Sequence, residues 1–202
     1  MRAWIVAAAA GYFLFFYQLT GTGLVGPDEP RYAWVGRAMA ESGDWVTPRL
    51  WGEPWFEKPA LLYWMMAAAF RAGLGEDLAP RLPVALMSAA FLIFFYWRMN
   101  REFGAPAAEY STAVLATSAG WVAYSHAAVF DLPLTATFGA AMLCLLAWLE
   151  RREKGALVAF AALLGLAALA KGLVGPALAA LVLLAWTVRM GVGGFQDLAR
   201  PL

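Results

Sequence analysis

Residues 3–19, 80–97, 107–125, 132–149, 156–170 and 173–188 are nearly unbroken apolar runs, separated by short stretches dense in charge, glycine and proline. A helix that crosses a bilayer takes about 20 apolar residues. The pattern therefore predicts an all-α integral membrane protein, a polytopic helical bundle with about six spans. A seventh apolar run, 60–70, is shorter and gives way to Arg71, Gly73 and Gly75. It reads as a helix lying on or partly in the membrane surface.

Basic residues test that division. They cluster at Arg2, at Arg98 with Arg101, at Arg151, Arg152 and Lys154, and at Arg189. Loops facing the cytoplasm collect Lys and Arg. Leaving 60–70 out of the span count puts all four clusters on one side, whereas counting it sets Arg2 opposite Arg98. The N-terminus is therefore expected in the cytoplasm of an inner-membrane protein. The first run, with its aromatic end "GYFLFFYQL" and no small-x-small cleavage site, reads as a retained anchor and not as a cleaved signal peptide.

In that topology residues 20–79 form one long outer loop. Residues 21–81 hold eight of the fourteen acids and five of the ten tryptophans, a composition too aromatic for disorder. Residues 30–42 are predicted to form a short amphipathic helix with Trp34, Val35, Ala38 and Met39 on one face. "SGDW" and "TPRLWGEPW" read as turns, and "EKPALLYWMMAAAF" opens the second interfacial helix.

Composition agrees with the membrane reading. The chain is 62% hydrophobic, against about 45–50% apolar in an average soluble domain. A net charge of +1 gives no electrostatic case for nucleic acid. The one cysteine, Cys144, lies in an apolar run, so neither a disulfide nor a cysteine metal site is available. His126, the one histidine, has no His or Cys near it in sequence and reads as structural.

The outer side also receives Asp131 in "HAAVFDLPLT" and Lys171 in "ALAKGLVGP". Asp28, Glu29, Arg31, Glu57, Lys58, Asp131 and Lys171 can then converge on one cavity at the lipid–water boundary. Simpler readings exist for several of them. Asp28 and Asp131 each have Pro two residues on, as a helix N-cap would. Lys171 can snorkel from a helix end, and Glu57–Lys58 can be a solvated pair. Read as a site, a Lys and an Arg hold a phosphate and stabilise charge as it departs. A carboxylate serves as general base or binds a divalent cation, and Tyr32 and the tryptophans stack on a sugar. These parts fit sugar transfer from a polyprenyl phosphate carrier. A transporter would instead be expected to place its ionisable groups at mid-membrane depth.

"PDEPRYAWVGRAMAESGDWVTPRLWGEPWFEKPALLYW" resembles the first outer loop of the bacterial 4-amino-4-deoxy-L-arabinose transferases that modify lipid A. More broadly it resembles the dolichyl-phosphate-mannose protein mannosyltransferase-like families of GT-C glycosyltransferases. The resemblance continues through "RLPVALMSAAFLIFFYWR", "VFDLPLT" and "GLAALAKGLVGP". It implies a GT-C-like bundle, an undecaprenyl-phosphate-linked sugar donor, and lipid A or another envelope acceptor at the periplasmic face. It implies catalytic roles for Asp28, Glu29 and Asp131, and donor or acceptor binding by Arg31, Tyr32 and Lys58, to which the residue reading adds Lys171. Glu57 matches a glutamate that binds a divalent metal, zinc by resemblance. Trp55 stands where those enzymes carry Tyr, keeping stacking and losing a hydroxyl. They are also over twice as long, so residues 1–202 are expected to form an N-terminal membrane module, with the histidine that completes the metal site beyond it.

Overall fold

The computed structural model describes the backbone of residues 2–199 and the side chains of residues 5–190. Nine helices and one small hairpin are found among the described residues: α1 (Arg2–Phe15), α2 (Asp28–Ser42), β1 (Arg49–Leu50), β2 (Glu53–Pro54), α3 (Leu61–Arg71), α4 (Leu78–Phe103), α5 (Ala105–Thr117), α6 (Ala119–Ser125), α7 (Asp131–Arg151), α8 (Lys154–Lys171) and α9 (Val174–Ala199).

Three of these helices, α4, α7 and α8, are long and apolar enough to cross a membrane. At 1.5 Å per residue they run about 39, 32 and 27 Å, against a hydrocarbon core of about 30 Å. Helix α3 has 11 residues and extends only about 16 Å. Two of the expected spans differ from the sequence reading. The first helix stops at Phe15, and the chain turns through Gln18, whose φ is 56°. The expected span 107–125 is two helices, α5 and α6, parted where Ser118 adopts an extended ψ of 134°. Thr117 Oγ1 donates to Ala113 O and Ser118 Oγ to Leu115 O. Such local bonds compete with the helical ladder, and Gly120 follows, so "TSAG" interrupts a run that hydropathy alone reads as continuous.

The long segment between α1 and α4 packs on the bundle and does not float above it. Helix α2 buries Tyr32, Val35, Gly36 and Met39, the i, i+3, i+4, i+7 stripe of one helix face. That stripe is rotated from the one expected: Trp34 is 49% exposed. Helix α2 ends at Gly43, whose left-handed φ of 74° lets its N–H reach Met39 O. Helix α3 contributes Leu62, Tyr63 and Met66, and all of these join Val84 and Phe91 of α4, Trp121 of α6 and Phe130 and Leu132 in one core. Between α2 and α3, Asp44 accepts the N–H groups of Val46 and Thr47. The strands then pair Arg49 with Pro54 and Leu50 with Glu53 around Trp51–Gly52, both at positive φ. The two sequence turns are thus an Asx turn and a two-residue hairpin.

The α2–α3 contact is close because Gly36 has no side chain. A Cβ there would stand 2.6 Å from Met66 Cβ and 3.4 Å from Tyr63 O. Gly36→Ala is expected to destabilise the protein by about 1–3 kcal/mol, although Ala is the better helix former by about 1 kcal/mol. Thermal unfolding in detergent checks this; a raised melting temperature would mean that α3 can step aside.

Charge collects at the two ends of the bundle. At one end Arg98 pairs with Glu102 at 2.9 Å, Arg101 with Glu153 at 2.7 Å and Arg151 with Glu102 at 3.2 Å. Two of the four basic clusters therefore meet, while the side chain of Arg2 lies outside the described residues. At the other end stand Arg81, Asp131 and Lys171. Positions 81 and 98 of α4 are about 25 Å apart along the helix, close to the depth of a hydrocarbon core.

Candidate active site

The site-bearing residues fall into three groups at the Arg81 end of the bundle. The first is an open cluster on α2 and the segment before α3. Arg31 Nη1 lies 3.6 Å from Asp28 Oδ1 and 3.5 Å from Glu57 Oε2, and Lys58 Nζ lies 3.2 Å from Glu57 Oε1. The Arg31 guanidinium stands over the Trp55 ring, 5.9 Å from its centroid. Two of these ion pairs are long, and all four charged side chains are partly exposed. Both cations can therefore exchange carboxylates for an incoming anion at little cost.

Asp28 is not a helix cap. The residue at the α2 cap is Pro27, with no side-chain capping bond, and Asp28 follows in the first turn. Asp131 likewise opens α7 after Phe130 without capping it. Both acids gain from the positive end of the helix dipole, and their oxygens pair instead with the cations Arg31 and Lys171.

The second group lies beneath. Tyr32 is 4% exposed and packs edge-on against Phe130 at 4.8 Å and Tyr63 at 6.1 Å. The expected stacking of Tyr32 on a sugar is corrected accordingly: the ring belongs to the core. Burial raises its phenol to about 12, helped by the carboxylates of Asp28, Glu57 and Asp131 and opposed by Arg31. Tyr32 is thus a protonated hydroxyl at neutral pH, in the field of three acids drawn from α2, the α3 approach and α7.

Glu29 is also buried, at 4% exposure. Its carboxylate accepts Arg81 Nε at 3.1 Å and Nη2 at 2.8 Å, Val25 N–H at 2.7 Å and Ala128 N–H at 2.6 Å. Burial by itself would raise its pKa; the bonds from Arg81, Ala128 and Val25 outweigh that and hold the carboxyl below the ordinary value. The catalytic role that the sequence resemblance implies for Glu29 meets a carboxylate whose acceptor positions are already filled.

The third group is Asp131 with Lys171, Oδ1 to Nζ at 2.6 Å, joining α7 to the end of α8. Asp131 also borders a recess of about 260 Å³ with Gly120, Trp121, Tyr124 and Thr135.

The family model described as dolichyl-phosphate-mannose-protein mannosyltransferase matches residues 57–192. The chain belongs to that mannosyltransferase family. The undecaprenyl phosphate-alpha-4-amino-4-deoxy-L-arabinose arabinosyl transferase of Pseudomonas aeruginosa (strain LESB58) is 33% identical to it, over 98% of this chain and 38% of that protein. A second transferase of that name, from Pseudomonas fluorescens (strain Pf0-1), is 32% identical over 92% of this chain and 35% of its own length. Among solved structures, ArnT from Cupriavidus metallidurans bound to undecaprenyl phosphate superimposes with a TM-score of 0.88 at 34% identity, covering 96% of this chain and 37% of that one. Its apo form gives 0.87 at 35% identity. The chain spans less than two-fifths of the length of these relatives.

Resemblance assigned a zinc to Glu57, with the completing histidine expected beyond residue 202. Among the described residues no three His, Cys, Asp or Glu side chains converge, and Glu57 faces Arg31 and Lys58. The described residues do not by themselves fit a metal. His126 closes α6 with Nδ1 2.9 Å from Val122 O.

Sequence reasoning passed over Arg81. The available signal was a lone arginine at the entry of an apolar helix, which calls for a partner. Trp121, Tyr124 and Thr135 carried no such signal, because aromatic and hydroxyl residues in an apolar run look like packing.

Proposed function

We propose that residues 1–202 are the donor-handling membrane module of a glycosyltransferase that moves a sugar from undecaprenyl phosphate to lipid A or another envelope acceptor at the periplasmic face. The observation that carries this reading is the loosely paired Asp28–Arg31–Glu57–Lys58 cluster at the opening of a GT-C-like bundle. The likeness to ArnT bound to undecaprenyl phosphate supports it, as do relatives named for transfer of 4-amino-4-deoxy-L-arabinose.

The reaction is a displacement at the anomeric carbon. The bond from that carbon to the phosphate oxygen breaks, and the phosphate leaves with the electron pair. An acceptor oxygen forms the new bond. Lys58 and Arg31 neutralise the departing polyprenyl phosphate, the guanidinium through paired N–H bonds. Asp28 takes the proton of a hydroxyl acceptor; a phosphate acceptor is already anionic, and Asp28 then only orients it. Asp131 and Lys171 position donor or acceptor from the α7–α8 side, and Trp55 supplies the aromatic wall beside Arg31.

The test is a transfer assay in membranes with radiolabelled undecaprenyl-phosphate sugars and lipid A. It compares this chain, the chain extended to the length of its relatives, and Asp28→Asn in each. Transfer by the extended form that falls at least tenfold in Asp28→Asn supports the reading, and the short chain shows whether the module acts alone. No transfer from any donor by the extended form would put a non-catalytic membrane partner in its place.

A further inference from the structure

We infer that Glu29 is a positioning residue and not a catalytic one: with Arg81 it forms a buried clamp that fixes the Asp28 half of the site relative to the Asp131 half. This rests on the glycosyltransferase reading for its consequence, but the clamp itself is a matter of geometry.

An ionised carboxylate offers about four acceptor positions and a guanidinium five donors. In Glu29 and Arg81 all of these are used. Besides the two bonds to Glu29, Arg81 Nη1 donates to Leu19 O at 2.8 Å and Thr22 O at 2.7 Å, and Nη2 to Gly23 O at 2.9 Å. Both side chains are 4–5% exposed. A carboxylate so saturated cannot take a proton from an acceptor or bind a sugar hydroxyl without first breaking the clamp.

What the pair does instead follows from the segments it joins. Leu19, Thr22, Gly23 and Val25 belong to the strand of chain leaving α1; Glu29 lies in the first turn of α2; Arg81 lies at the start of α4; Ala128 precedes α7. Asp28 is one peptide from Glu29, and Asp131 is three residues from Ala128. One turn along α2, Tyr32 packs on Phe130, a second and apolar tie between the same two helix starts. A bidentate arginine–carboxylate pair fixes orientation as well as distance. Losing it lets the two acids drift, and a displacement of about 1 Å from a remote change can cost about 100-fold in rate.

The experiment uses Glu29→Gln, Arg81→Gln and the double variant, with Arg81→Lys as a milder change that keeps the charge, all in the protein extended to the length of its relatives. Each Gln variant is expected to lower kcat by about 10- to 100-fold, with little change in the donor KM and no change in the shape of the pH–rate profile. The double variant is expected to recover part of that loss, because it no longer leaves one buried charge unpaired. A double variant as slow as Glu29→Gln, with the acid limb of the profile gone, would make Glu29 catalytic and overturn the inference. A second readout does not depend on transfer. Spin labels on cysteines placed at Trp34 and Thr135, in a Cys144→Ala background, should give a narrow distance distribution. It should broaden in each Gln variant, less in Arg81→Lys, and narrow again in the double. If the folded protein transfers no sugar, these distances still decide on the clamp. Unchanged distances in folded Glu29→Gln would sink it.

Discussion

Lys58→Ala is expected to slow sugar transfer by about 100- to 1,000-fold, the usual cost of removing one fixed donor from a developing anion. The ammonium lies 3.2 Å from Glu57 Oε1 and the Lys58 side chain is 29% exposed, so a phosphate can displace that contact without dismantling the fold. On the proposed mechanism the loss should fall on kcat more than on the donor KM, because the charge that Lys58 would meet grows as the phosphate departs. Lys58→Arg restores charge and should recover most of the rate. Steady-state kinetics with a labelled donor checks both. An effect on KM alone would make Lys58 a ground-state binding group, and none at all would return it to a solvated partner of Glu57.

Phe130→Ala is expected to destabilise the protein by about 3–5 kcal/mol, lowering its melting temperature in detergent by on the order of 10 °C. The ring is 1% exposed and meets Tyr32 at 4.8 Å and Tyr63 at 5.3 Å, both edge-on. Its removal opens a cavity where α2, α3 and the start of α7 come together, and it takes one of two aromatic neighbours from each of Tyr32 and Tyr63, which keep each other at 6.1 Å. Phe130→Leu keeps much of the volume and should cost less than half as much. Equal losses for the two variants would indicate that edge-to-face geometry matters more than volume at this junction.

Much of this protein was legible one segment at a time. The apolar runs at 80–97, 132–149 and 156–170 correspond to α4, α7 and α8. The short run at 60–70 corresponds to α3, and the proposed turns fall at Asp44 and at Trp51–Gly52. Hydropathy and i, i+3, i+4 spacing are local properties, and helices answer to them directly. The break at Ser118 was missed for a related reason: a Ser or Thr hydroxyl bonding its own preceding turn leaves the hydropathy of the run unchanged.

The site divides in the same way. Asp28, Arg31, Glu57 and Lys58 could be chosen as chemically active from residue type and from the motif around them, and the fold gathers them into one partly exposed cluster. Glu29 and Tyr32 stand in the same motif and differ only in which side of α2 they face. That choice is made by Val35 and Met39, which turn the helix onto α3 and α4 and take Glu29 and Tyr32 inward. The sequence alone thus determined the helical, strongly apolar character of the chain and the chemical inventory of residues 20–79. The tertiary structure decided which acids are free and which are spent, because the partners that settle it, Arg81 and the Ala128 N–H, lie 52 and 99 residues from Glu29. Pairing at that separation follows from how helices pack, and no local pattern records it.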